Sequence, residues 1–188
     1  MKKYRFTLVE ILVATGIIAI LAAMGFAGYR LAVDSGRENN TKMLITQITT
    51  ALDNCKNKVG FYPASSTFGD ITFTLDSSEM VEKVSFNGTE FSKSDTNKFK
   101  KKFFDLFTKA LDMEQIKSAC GSDGVLRDSW GNPVKYKFPG SINTTKYDVI
   151  SAGADGKFGQ DNKTEPVTSK SDYIDDSGER LCDDVANF

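Results

Sequence analysis

From Ile11 to Tyr29 no position carries a charged side chain, and from Thr41 onward apolar positions recur at helical spacing. The first run is about 19 residues, enough helix to cross a bilayer's hydrocarbon at roughly 1.5 Å per residue. In the second, Leu44, Ile48, Ala51, Leu52, Cys55 and Val59 form one stripe, with Lys42, Gln47, Thr50, Asp53 and Lys56 opposite. Together they predict one long N-terminal helix over residues 6–58. Its first half, 6–30, is apolar all round and suits lipid or other helices. Its second half is one-faced and needs a globular body to lie against. Gly60-Phe61-Tyr62-Pro63 ends it.

The remaining 59–188 read as a mixed head. Ile71–Leu75 alternates as a half-buried strand. Val84–Phe86 and Thr89–Phe91 flank Asn87-Gly88, which supplies the positive φ of a tight hairpin turn. Ser94-Asp95-Thr96 can cap a second helix, whose buried face is Phe99, Phe103, Phe104, Phe107, Ala110 and Leu111. Lys98, Lys100, Lys101 and Lys102 lie opposite as a solvated face. Val134, Tyr136 and Phe138 alternate as a strand, and Tyr147–Ile150 returns antiparallel. The fold class is therefore α+β, a long helix packed on a small antiparallel sheet.

Charge and composition narrow the function. The chain has 24 basic and 25 acidic residues, so nothing points to nucleic acid as a partner. It has no histidine, which removes the commonest general base and the imidazole metal ligands. No nucleophile elbow and no phosphate loop is found either, and the chain reads as a non-enzyme. Lys2, Lys3 and Arg5 precede the apolar run and hold that end in the cytoplasm, placing the head outside the inner membrane, where disulfides persist. Three cysteines are present. Cys55 lies on the apolar stripe of the helix. Cys120 and Cys182 flank the sheet and the acidic loop that follows it, and a disulfide between them is expected, closing a loop of about 60 residues.

Glu10 is the odd residue at the mouth of the apolar run, where an unpaired carboxylate is expensive and marks a functional site. A cleaved signal peptide is the plainer alternative, with Ala22-Ala23 or Ala27-Gly28 as its small residues, but Glu10 sits where such a peptide should be apolar.

The order of basic leader, Phe6-Thr7-Leu8-Val9-Glu10 and long apolar helix resembles the start of type IV pilins and type II secretion pseudopilins. Gly60-Phe61-Tyr62-Pro63 is similar to the turn that ends the long helix there. Asp128-Ser129-Trp130-Gly131-Asn132-Pro133 resembles the tryptophan turn leading into the pseudopilin sheet, with Ser129 in place of a proline. Ser151-Ala152-Gly153-Ala154-Asp155-Gly156 resembles the calcium loop of the major pseudopilin. The likeness covers residues 1–63 and 124–176.

The resemblance implies a leader, 1–5, cut by a prepilin peptidase between Arg5 and Phe6, with N-methylation of Phe6; Arg5 stands where the family has glycine. It implies that Glu10 governs assembly by pairing with a neighbour's N-terminus. It implies calcium bound by the Ala152 carbonyl and the Asp155 side chain. Asp161, Asp172 and the pair Asp175-Asp176 are the candidates to complete the site. The function it implies is a structural subunit of a type II secretion pseudopilus, a helical homo-oligomeric fibre that drives protein export. Its partners would be minor pseudopilins and the secretion platform, in a single-pass protein of the bacterial inner membrane with a periplasmic head. A type IV pilin, in an extracellular fibre for adhesion, motility or DNA uptake, is the alternative.

Overall fold

The computed structural model of the chain describes residues 7–76 and 80–188, with side chains at all of these except 25–28. Arg5 and Phe6, and with them the expected processing point, lie outside the described residues. The described residues form two compact units that divide between Gly36 and Arg37.

The first unit is the apolar part of helix α1 (Leu8–Val59). Its most apolar 18-residue window has a mean hydropathy of 2.3 and no buried residue, long and apolar enough to cross a membrane. Thr7 caps it. The Glu10 amide donates to the Thr7 hydroxyl, while Glu10 Oε2 accepts from the Thr7 amide at 2.8 Å and from its hydroxyl at 2.9 Å. This reciprocal pair satisfies amides that a helix start leaves without partners.

The second unit packs the amphipathic end of α1 against a six-stranded sheet. Leu44, Ile45, Ile48, Ala51, Leu52 and Cys55 are buried, as the stripe requires, and Gly60 closes the helix at φ +100°. The strands are β1 (Ser65–Leu75), β2 (Val81–Phe86), β3 (Thr89–Ser92), β4 (Lys135–Phe138), β5 (Asp148–Ser151) and β6 (Val185–Ala186). They run in the order β3-β2-β1-β4-β5-β6, with every neighbouring pair antiparallel. The Asn87-Gly88 turn joins β2 to β3 with both residues at positive φ, 47° and 84°.

Helix α2 (Lys98–Ala110) is capped by Asn97, whose side chain accepts from the amides of Phe99 and Lys100, one residue past the expected cap. Its Phe103, Phe104 and Phe107 are buried, but Phe99 in the first turn and Ala110 in the last are exposed. An aromatic cluster fills the space between α2 and β2–β3, with ring centroids 4.3 Å apart for Phe91 and Phe103 and 5.3 Å for Phe86 and Phe107. A short helix α3 (Met113–Ala119), capped by Asp112, leads to the tryptophan turn.

A second, smaller core holds Ile150, Ala152, Phe158 and Tyr173, with Val167, Ile174, Cys182 and Phe188 around it. It is built where the C-terminal tail folds back to add β6 to the edge of β5. The disulfide expected between Cys120 and Cys182 is not formed, and all three cysteines are free. Cys120 packs against the main core and Cys182 against the second one. The tail that carries Cys182 is turned by its pairing with β5 toward the acidic loop.

Candidate functional site

The loop after β5 is built from the tryptophan turn upward. Asp128, buried, receives four hydrogen bonds. Its Oδ1 accepts from the amides of Trp130 at 2.9 Å and Asn132 at 2.8 Å. Its Oδ2 accepts from the Ser151 hydroxyl at 2.6 Å and the Asn132 side-chain amide at 3.3 Å. Asn132 also donates to the Gly153 carbonyl at 2.7 Å, and the Gly153 amide donates to Ser151 Oγ. The turn therefore fixes the first residues of the loop, 151–153, from one side.

The tail fixes it from the other. Gly153 has φ +67°, and a Cβ there would stand 2.3 Å from the carbonyl oxygen of Asp183, so only glycine fits this close approach. The Asp155 amide donates to Asp183 Oδ2 at 2.8 Å, and the Gly159 amide donates to Asp184 Oδ2 at 2.7 Å. The Cys182 thiol also donates to that oxygen, at 2.8 Å. Phe158 turns inward from the loop into the second core and pairs with Lys163 as an isolated bridge.

The sequence-predicted ligands are distributed unevenly around this loop. Ala152 is buried at its start. Asp155 is exposed, and its Oδ1 accepts from the Lys157 amide at 2.8 Å. Asp161 is exposed and pairs with Lys163 at 3.4 Å. Asp172 is half-buried in the 3₁₀ turn Lys170–Asp172, and its carbonyl accepts from the Gln160 amide. Asp175 closes a turn of its own, accepting from the Ser177 hydroxyl and the amides of Ser177 and Glu179. The Ser177 hydroxyl and then the Glu179 amide hold its carboxyl below the usual range.

Sequence reasoning missed Asp128, Asp183 and Asp184. Asp128 stands inside the tryptophan turn, where its sequence context carries no other signal. Asp184 is 5 % exposed, and its Oδ1 is buried without a hydrogen-bond partner. Burial pushes its carboxyl up, against the lowering bonds from Cys182 and Gly159, and the charges of Asp183 and Asp155 push it the same way.

A hard cation such as calcium takes six to eight oxygens from carboxylates, backbone carbonyls and water. Among the described residues no three ligating side chains converge into a ready cage. Asp184 Oδ1, buried and without a hydrogen-bond partner, is a costly atom to leave so.

At the far end of the chain, Glu10 is exposed and bonded to Thr7 of its own helix.

Residues 105–170 match a family model described as Type II secretion system (T2SS), protein G. The match runs from within α2 through α3, β4, β5 and the loop, and supports a place in the pseudopilin family. No curated protein and no solved structure matches the chain.

Proposed function

We propose that the chain is a structural subunit of a type II secretion pseudopilus. It would polymerise through its apolar N-terminal helix into a fibre that drives folded proteins out of the cell. The observation that carries this reading is the match over 105–170, which includes both the β4–β5 hairpin and the loop behind it, in a chain that begins with a helix able to cross a membrane. Pseudopilins are structural subunits, so no catalytic role is assigned to any residue.

Three roles follow. The apolar part of α1 anchors the subunit in the inner membrane, with the head in the periplasm, and packs with other helices in the fibre. Glu10 serves assembly: its Thr7 bonds cap the helix within one subunit, and in lipid its charge gains further from a cationic partner on a neighbour. The 151–162 loop serves as a calcium-dependent lock, held by the Ala152 carbonyl and the Asp155 side chain. Calcium would neutralise the carboxylates there and add its binding energy to folding.

The test is electron microscopy of fibres sheared from cells that overproduce the chain. Wild type should give fibres. Glu10→Ala should leave a membrane-inserted subunit of normal abundance that forms none. Normal fibre yield from Glu10→Ala would remove the assembly role.

A further inference from the structure

We infer that the lysine-bearing face of α2 docks on the acidic tail segment, residues 165–184, of a second copy of this chain, head to tail. This rests on the reading of the chain as a fibre subunit and names the surfaces through which neighbouring heads meet.

Helix α2 buries Phe103, Phe104 and Phe107 and leaves its outer face uncovered. Lys98, Lys101, Lys102 and Lys109 stand exposed there, and Phe99, 65 % exposed, lies among them. Lys98 precedes Lys101 and Lys102 by three and four residues, spacings at which like charges destabilise a helix. Lys102 donates to the Lys58 carbonyl, which brings the exposed Lys58 into the same field. Among the described residues no α2 lysine pairs with a carboxylate. An anionic partner with an apolar spot for Phe99 relieves that repulsion and covers the ring.

The complementary surface lies at the other edge of the same sheet. Helix α2 packs against β3 and β2, at one end of the strand order, and β6 is at the other. Five strand spacings separate the two edges, about 24 Å. The segment before β6 is held at that far edge by Tyr173, Ile174 and Cys182, which pack with Ile150 of β5. Between Glu165 and Asp184 seven residues are acidic and two are basic. One of the two, Arg180, is already paired with Glu38. Glu165, Asp175, Asp176 and Glu179 are exposed, and Leu181, 38 % exposed, supplies an apolar spot among them.

The screening length at physiological salt is about 8 Å, so the two edges do not neutralise each other within one head. Between copies they match in sign. A contact between two different surfaces leaves one of each free at the ends, so copies keep adding, as a helical fibre requires.

Fibres sheared from cells producing the full chain are counted by electron microscopy, with subunit abundance in the membrane measured alongside. Lys98→Glu with Lys101→Glu reverses one surface, and glutamate suits the start of a helix. Asp176→Lys with Glu179→Lys reverses the other and spares the Asp175 side chain that closes the tail turn. Each pair alone should cut fibre yield at least fivefold at equal abundance. The chain carrying all four changes should return to within twofold of wild type. Should a reversed pair fall in abundance, Lys98→Gln with Lys101→Gln and Asp176→Asn with Glu179→Gln decide, each expected at least twofold below wild type. Normal yield from either pair, or no recovery when all four are combined, overturns the contact while wild-type fibres keep the fibre reading. Loss from the lysine pair with normal yield from the acidic pair overturns it too, and assigns the α2 face to another anionic partner such as lipid headgroups. No fibres from wild type overturns both readings.

Discussion

The hydroxyl of Ser151 donates to the carboxylate of Asp128 across 2.6 Å, with both side chains buried. This bond joins the tryptophan turn to the first residue of the acidic loop. With the Asn132 side chain donating to the Gly153 carbonyl at 2.7 Å, it ties the two segments together twice.

Asp128→Ala removes the acceptor for four donors at once, the buried Ser151 hydroxyl among them. Each buried donor left unpaired costs about 1–3 kcal/mol, so a loss of about 3 kcal/mol in stability is expected. Denaturant unfolding of the full chain measures it. Asp128→Asn should cost less, because it keeps an acceptor oxygen for the Trp130 and Asn132 amides. A loss under about 0.5 kcal/mol for Asp128→Ala would show that the network does not hold the turn.

Alkali should unfold the head through its tyrosines. Tyr62 and Tyr147 both donate to Asp53 Oδ1, at 2.9 and 3.0 Å. Burial, then the bond to Asp53, pushes the Tyr62 phenol up to about 12 from an ordinary 10.0, and burial drives Tyr136 and Tyr147 in the same direction. The folded phenols therefore stay neutral while the unfolded chain releases protons. Their contribution is whole below the unfolded pKa of 10.0 and is lost as pH rises through about 12. Phenolate absorbance read together with the denaturant midpoint, from neutral pH to strong alkali, follows both. The loss should be shallower in Asp53→Asn, which removes the negative charge beside Tyr62. A flat midpoint across that range would contradict the buried-tyrosine account.

All three cysteines should be found as thiols. Cys55 lies in the apolar stripe of α1, and burial pushes its thiol up to about 12. Burial raises Cys120 to about 11 and Cys182 to about 12. Alkylation at neutral pH should therefore be slow in the folded chain and should reach all three after unfolding without reductant. A mass two protons short, with one alkylated site, would show that a disulfide forms.

Much of this architecture was written in local patterns. The stripe from Leu44 to Cys55 sets how α1 packs, Asn87-Gly88 makes its hairpin, and the phenylalanines of α2 fill the core. Local signals were silent where structure comes from distant pairing. Strand β6 is two residues long, too short for any periodicity, and exists only because β5 offers an open edge. Asp183 and Asp184 read as ordinary tail acids until that pairing swings them under the loop. The expected disulfide failed for the same reason: sequence spacing is no measure of where a folded-back tail places Cys182. Periodicity puts Phe99 on the buried face, yet it sits exposed in the first turn of α2.

The central claim, that this chain serves protein export as a fibre subunit, is tested most directly by the secreted fraction of normally exported proteins in a strain lacking it. Without the chain, folded substrates should accumulate behind the outer membrane. Re-supplying wild type should restore their release, and Glu10→Ala at equal abundance should not. Unchanged secretion, alongside loss of surface fibres, would contradict the account and make the chain a pilin of another machine.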